Sequence, residues 1–494
     1  MGSLEVLLIA PEAAPFAKTG GLADVTGSLP PALERLGVRV RLAIPCHRSA
    51  WFSGRPIEPA GQSVSVPLGS RSIEGRLLLS TLPGSSVEVC LIDCPEFFDR
   101  DGVYQGPGGD YPDNAARYIF FQRAALEAID RLGWRPDVLH LHDWTTGLVP
   151  VYLDELYRPR AGFAGIGTLL TIHNLAYQGS FWPGEMAQTG LDYRLYNWRD
   201  LEAYGRLNFL KGGLVRADLI GTVSPSYARE IQEPALGRGL DGLLRNRSAD
   251  LRGILNGIDT GAWNPANDPH IAARYDAETV VEGKAACKAA LQREAGLPVR
   301  PGVPVLAQIG RFDPQKGWDL LAGAADVLLR GDVQLIVLGG GEARYQEMLD
   351  RLARREPGKL RVFSGFFDDL AHRIEAGADL FLMPSLYEPC GLSQLYSMAY
   401  GTVPIVRATG GLADTVVDPD EGGDSATGFR FRGPNPGAFL EAIDRALALR
   451  DDPRRWLRMI RAGMLQDWSW DRSARSYVDL YEEVGRRRSA RAVG

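Results

Sequence analysis

The residues that could do chemistry stand just after apolar runs. GRFDPQKG (310–317) follows VPVLAQI and sets Arg311 and Lys316 a few residues apart. A guanidinium offers a planar fork and an ammonium a point charge, which together suit a diphosphate or another phosphorylated group. The alternative is a solvated loop. PSLYEPCGLSQLYSMAYG (384–401) holds Glu388 in a proline-flanked turn, ahead of a helix that starts near Gly391 and Leu392. A carboxylate there either binds sugar hydroxyls and balances a developing cation, or is an acid favoured by the helix dipole. HLHDW (140–144) ends a strand, with His140 and His142 on one face and Asp143 on the other. A His-x-His metal site would need further ligands, and none is marked, so a polar cluster at a binding crevice is the expectation. TIHNLAYQG (171–179) also ends a strand, and His173 there is either a satisfied structural histidine or a group facing a ligand.

The hexapeptide TGGLAD occurs twice, from Thr19 to Asp24 and from Thr409 to Asp414. Each copy follows an apolar run and precedes a helix-compatible stretch. The pairs Gly20–Gly21 and Gly410–Gly411 permit close backbone approach. A helix N-terminus presents unpaired N–H groups to an anion, and Lys18 adds a whole charge to the first copy. The alternative for both is a tight strand-to-helix turn. No Gly-Lys-Ser/Thr closes either copy, so neither is a Walker loop. The Asp-x-Asp of FFDRDG (97–102) lies in a loop without a phosphate-binding partner and is expected to be solvated.

The elements that must position these residues read as two α/β series. EVLLIAPE (5–12), VRLAIP (40–45), VEVCLID (87–93), DVLHLHD (137–143), TLLTIHN (168–174) and LIGTVS (219–224) are near-continuous apolar runs. Such runs suit parallel strands buried on both faces. Between them lie helices, the clearest from Asn114 to Leu132, capped by Asp113 or Asn114 and stopped by Gly133. The stretch 266–302 carries no clear strand. The rhythm restarts with VPVLAQIG (303–310), VQLIVLGGG (333–341), LRVFSGF (360–366), DLFLMPS (379–385) and VPIVRATGG (403–411). The boundary falls near LNGID, Leu255 to Asp259, and the chain closes on an amphipathic helix. The alternation predicts two doubly wound α/β domains, whose ligands bind beyond the carboxyl ends of the strands.

Composition is that of a globular protein: 494 residues, 45% hydrophobic, 23% charged, with a net charge of −6. Mixed acids and bases argue against a nucleic-acid footprint or a basic membrane patch. The five cysteines are odd in number and sparse, which argues for a reducing compartment over a disulfide framework. No apolar run approaches membrane length and no basic leader precedes the first strand, so a soluble cytoplasmic protein is expected.

Taken in order, KTGGLADV, HDW, TIHNLAYQG, LNGID, GRFDPQKG, EPCGLSQL and GTVPIVRATGGLADTV make the chain, from about Val6 to Tyr481, resemble the bacterial glycogen synthases and plant starch synthases. The resemblance implies a GT-B fold of two Rossmann-like domains facing across a deep cleft. It implies a glucan-side domain at 1–254, a donor domain at 255–470, and a C-terminal helix at 471–494 that packs back on the first domain. It implies retaining transfer of glucose from ADP-glucose to the non-reducing end of an α-1,4-glucan (glycogen or a maltooligosaccharide), with no metal or cofactor. Arg311 and Lys316 match the family's basic pair on the donor diphosphate. Glu388 matches the acid on the transferred glucose, His173 the histidine near its 6-hydroxyl, and Asp143 the acceptor-side aspartate. Lys18, with Gly20 and Gly21, matches the donor–acceptor junction, and Asn256 an asparagine on the glucose. Tyr104 matches a tyrosine near the adenine or acceptor, while Gly391, Leu392 and Thr409–Gly411 lie on the donor side. The competing expectations are a UDP-glucose-dependent or small-acceptor enzyme of the same fold, and a non-catalytic glucan-binding protein.

Overall fold

A strand buried on both faces must satisfy its backbone through neighbouring strands, so the apolar runs assemble into sheets wrapped by helices. The computed structural model describes residues 4–106 and 108–493. The chain forms two units: residues 1–223, 228–257 and 470–494 make the first, and residues 224–227 and 258–469 the second. The division thus falls three residues later than the sequence boundary of 254/255, and the short segment 224–227 goes with the second unit.

The first unit is built on a nine-stranded sheet. Its strands are β1 (Glu5–Ile9), β2 (Arg39–Pro45), β3 (Glu58–Leu68), β4 (Arg71–Thr81), β5 (Glu88–Asp93), β6 (Val138–His142), β7 (Gly167–Ile172), β8 (Leu219–Thr222) and β9 (Leu251–Gly253). The spatial order is β9-β8-β7-β6-β1-β2-β5-β4-β3. Every pairing from β9 to β5 is parallel. The β3–β4 hairpin and its junction with β5 are antiparallel. That hairpin was not anticipated. Its outward positions are polar and alternate with Val64, Val66, Ile73 and Leu77, so it lacks the continuous apolar run of a doubly covered strand. The helices that matter most are α1 (Gly21–Arg35), α2 (Asn114–Arg131) and the last helix of the chain, Trp470–Val493. In the last helix Trp470, Ala474, Tyr477, Tyr481 and Val484 recur at helical spacing. They form one stripe buried with Val6, Leu8, Leu29 and Leu33 in the core of this unit.

The second unit holds a six-stranded, all-parallel sheet: β10 (Val305–Ile309), β11 (Gln334–Gly339), β12 (Leu360–Ser364), β13 (Leu380–Met383), β14 (Val403–Arg407) and β15 (Phe429–Phe431). The order is β12-β11-β10-β13-β14-β15. Side chains alternate between its two faces. Val305, Ala307, Ile336, Leu338, Phe381 and Met383 enter one core, and Leu306, Leu335, Val337, Leu380 and Leu382 the other. This two-sided burial is why the strands read as unbroken apolar runs. The strands are shorter than those runs because the polar ends, such as APE after Ile9 and PS after Met383, have already left the sheet.

Candidate functional site

Each sheet has a point where the chain order reverses, and the loops leaving the two flanking strands diverge there. In the second unit that point lies between β10 and β13. The loop after β10 carries Arg311 and Lys316, and the loop after β13 carries Ser385 and Glu388. Residues 72 apart in sequence meet: Lys316 Nζ donates to Glu388 Oε2 at 2.7 Å. Ser385 Oγ donates to the same oxygen at 3.0 Å. The Glu388 side chain is 7% exposed and that of Lys316 22%. Lys316 is held from behind: its backbone N–H caps onto Asp313 Oδ1 at 3.2 Å, and Gln308 Nε2 donates to its carbonyl at 3.0 Å. Arg311 keeps more of its surface in solvent and pairs with Asp313 at 3.3 Å. Trp318 Nε1 fixes the Arg311 carbonyl at 2.7 Å. Lys316, Ser385 and Glu388 therefore meet at the strand end, and Arg311 stands on the same loop as Lys316, paired with Asp313. Such a site stabilises an anionic leaving group beside a group that faces positive charge.

The second TGGLAD supports this cluster. Its glycines open a six-residue helix, Gly410–Thr415. A methyl on Gly410 would lie 2.0 Å from the Glu388 carbonyl oxygen, and one on Gly411 2.1 Å from that of Cys390. Gly411 N–H donates to the carbonyls of Glu388 and Pro389, both at 3.1 Å. The close approach permitted by the Gly-Gly pair is used to seat the Glu388 turn, and the Gly411 N–H is spent on that turn. Thr409 is 2% exposed. Gly391, at φ 73°, and Leu392 lead into the helix Ser393–Ala399.

In the first unit the order reverses between β1 and β6. The loop after β1 runs through Glu12 to Lys18 and the first TGGLAD, and the strand end of β6 gives His142, Asp143 and Trp144. Lys18 pairs with Asp24 at 2.9 Å and remains 44% exposed. Gly20 caps α1 in extended backbone, with open space where a side chain would be. Asp143 is buried and adopts φ 58°. Its Oδ1 accepts the His173 N–H at 2.7 Å and the Asn174 N–H at 3.5 Å. Burial pushes its carboxyl up to about 7, against the pull of those two donors and with the help of the nearby Glu12 charge. Asp143 thus grips the loop that presents His173. His173 Nε2 lies 2.9 Å from His142 Nδ1.

Glu12 escaped the sequence reading. Its carboxylate accepts the Thr19 N–H and, at 3.2 Å, the Tyr104 hydroxyl, so it ties the first hexapeptide to Tyr104. Burial pushes this carboxyl, too, up to about 7. The available signal was a lone acid closing an apolar strand in LLIAPE. Tyr104 lies beside Tyr118 and Trp144. Asn256 belongs to the first unit, buried, with its Oδ1 unpaired among the described residues. Asp99 and Asp101 both bind Arg48 at 2.7 Å, a surface ion-pair group. The five cysteines are buried free thiols. Among the described residues, no group of three or more His, Cys, Asp or Glu could hold a metal, and no helix is long and apolar enough to cross a membrane.

Comparisons with known proteins give the class to which these two Rossmann-like units belong, the glycosyltransferases of the GT-B fold. A family model described as the starch synthase catalytic domain matches residues 5–246. One described as glycosyl transferases group 1 matches 293–462. The glycogen synthase of Syntrophotalea carbinolica is 47% identical over 481 residues, covering 97% of this chain and 99% of the relative. That of Anaeromyxobacter sp. strain Fw109-5 is 47% identical over 482 residues, with the same coverage of 97% and 99%. The catalytic domain of starch synthase IV from Arabidopsis thaliana, solved bound to ADP and acarbose, superposes with a TM-score of 0.91 at 33% identity. That match covers 98% of this chain and 100% of the other. Sucrose-phosphate synthase from Thermosynechococcus elongatus, at TM-score 0.60 and 19% identity, shares the fold. The chain belongs to the glycogen synthase and starch synthase family of glycosyltransferases.

Proposed function

We propose that the protein transfers glucose from ADP-glucose to the 4-hydroxyl at the non-reducing end of an α-1,4-glucan, with retention of configuration, in the cytoplasm. The observation that carries the proposal is the Lys316–Glu388 pair at the β10/β13 switch point, with Arg311 on the same loop as Lys316. A nucleoside diphosphate departing from a sugar needs cations at its oxygens, and the sugar left behind develops positive charge that a nearby carboxylate offsets. The bound ADP and acarbose of the Arabidopsis structure, a nucleotide and an oligosaccharide, support the same pair of ligand classes.

In this reading Arg311 and Lys316 bind the diphosphate, while Glu388, held by Lys316 and Ser385, faces the glucose with Gly391 and Leu392. Thr409–Gly411 buttress the Glu388 turn. On the glucan side, Lys18, Gly20 and Gly21 meet the phosphate–acceptor junction. His173 meets a hydroxyl of the transferred sugar, Asp143 orients His173, and Asn256 and Tyr104 complete the contacts. The bond between the anomeric carbon and the phosphate oxygen breaks as the acceptor oxygen bonds to the same carbon from the same face. The acceptor proton passes to the departing diphosphate. Glu388 Oε2 is engaged by an ammonium and a hydroxyl, which suits an electrostatic role better than that of a nucleophile in double displacement. The scheme includes no metal, so a chelator is expected to leave the rate unchanged.

The test is incubation with ADP-glucose or UDP-glucose labelled in the sugar, with glycogen or small sugars as acceptor, followed by digestion with an α-1,4-specific amylase. Label from ADP-glucose entering amylase-sensitive glycogen is the expected result. Transfer only to a small sugar, or glycogen binding with no release of ADP, would overturn the proposal.

A further inference from the structure

Three histidines of the first unit form an array, two of them buried and His173 half-buried. In the β6–β7 register His140 stands beside Leu169 and His142 beside Thr171. His140 is satisfied at both ring nitrogens: Nδ1 meets Tyr481 Oη and Nε2 meets Thr171 Oγ1, each at 2.8 Å. Its ring lies over that of His142, with centroids 4.2 Å apart. His142 Nδ1 meets His173 Nε2 at 2.9 Å, while His142 Nε2 is buried with no hydrogen-bond partner among the described residues. Burial keeps both rings of the pair neutral near pH 7, pushing His173 down to about 3 and His142 well below its usual value.

Two neutral imidazoles at this separation share one proton, and only two arrangements exist. If His173 Nε2–H donates to His142 Nδ1, then His142 carries its own hydrogen on Nε2, a buried N–H without an acceptor. If His142 Nδ1–H donates to His173 Nε2, the unpaired atom is a bare lone pair. In folded proteins a buried N–H left without an acceptor is the rarer of the two, under-satisfied acceptors being met more often. We infer that His142 is a positioning residue that locks His173 as its Nδ1–H tautomer, so that His173 offers a ligand an N–H donor and never a basic nitrogen. His173 is half-buried, its Nε2 is turned onto His142, and its backbone N–H is taken by Asp143. Nδ1 is thus the ring nitrogen left for a ligand. The matching chemical group is an acceptor oxygen, such as a sugar hydroxyl oxygen, and His173 cannot take a proton from the acceptor. The consequence for catalysis rests on the reading above that His173 meets the sugar; the tautomer itself does not.

The direct test is nitrogen NMR of the full-length protein grown with histidine labelled with nitrogen-15 at Nδ1 only, near pH 7. The chain has six histidines, and the His173 signal is the one lost in His173→Asn. The expected signal is that of a protonated, pyrrole-type Nδ1. A bare, pyridine-type signal, as would follow if a buried water accepted from His142 Nε2–H, would overturn the inference, and so would an imidazolium. A kinetic test separates positioning from packing. The amide of His142→Asn can put an N–H near the former Nδ1, whereas His142→Leu cannot. Turnover of the Asn variant is expected to exceed that of the Leu variant by roughly tenfold, the scale of one neutral hydrogen bond. Equal losses in the two would overturn the positioning role. A protonated Nδ1 together with wild-type turnover in His173→Ala would retain the tautomer and overturn instead the reading that the sugar meets His173.

Discussion

The two TGGLAD copies have the same six side chains and do different work. In the first, Gly20 stands in open space ahead of the fifteen-residue α1, and Asp24 pairs with the half-exposed Lys18. Thr19 is fastened by Glu12. In the second, the glycines are pressed onto the Glu388–Cys390 backbone. Asp414 there caps Ser226 through its backbone N–H and hydroxyl at 2.7 and 2.6 Å. The first copy leaves a helix N-terminus open beside a lysine. The second uses the missing side chains to bring two backbones together and set the position of a carboxylate. One sequence device, a Gly-Gly turn, becomes an open helix start or a packing joint according to what lies beyond it.

The difference is easiest to break at the second copy. Gly410→Ala combines a 2.0 Å clash with backbone and a φ of 46°, so roughly 3 kcal/mol or more of destabilisation and loss of transfer are expected. Thermal unfolding beside an activity assay reads both. Unchanged stability would remove the packing role. Gly20→Ala, at φ −162° with nothing within 4 Å, should leave stability within about 0.5 kcal/mol. Any large loss of activity in this variant then reports a ligand against the turn. Lys18→Ala breaks an exposed pair and should shift stability by less than about 1 kcal/mol, with its effect confined to kinetics.

A smaller effect concerns pH. The Asp143 carboxyl is held up to about 7, far above the 3.8 of an exposed aspartate. Between those values the folded state binds more protons than the unfolded one, so this group lowers stability as pH rises from about 4 to 7. Asp143→Asn keeps an oxygen for the His173 N–H and should flatten that slope in melting temperature. An unaltered slope would assign it to other groups, Glu12 first.

Much of the fold was legible because doubly covered parallel strands are largely apolar, and six strands of the first series and five of the second could be read directly, though the three-residue β9 and β15 could not. The β3–β4 hairpin was not, since one of its faces is wet. The strand-end rule singled out Arg311, Lys316, Glu388, Asp143 and His173 as candidates, and the structure sets each in a loop or turn just after a strand. What the rule could not reveal were pairings between distant segments: Lys316 with Glu388, Glu12 with Tyr104, His142 with His173. Nor could spacing distinguish the two hexapeptides, because local sequence fixes the turn but not the backbone packed against it.

The most direct measurement is the turnover of Lys316→Ala and Arg311→Ala with saturating ADP-glucose and glycogen, beside the wild-type chain. Folded variants that transfer glucose on the order of a hundredfold more slowly are the predicted result, the scale for losing one charge-stabilising donor. Wild-type turnover in both folded variants would contradict a donor-diphosphate site at the β10/β13 switch point.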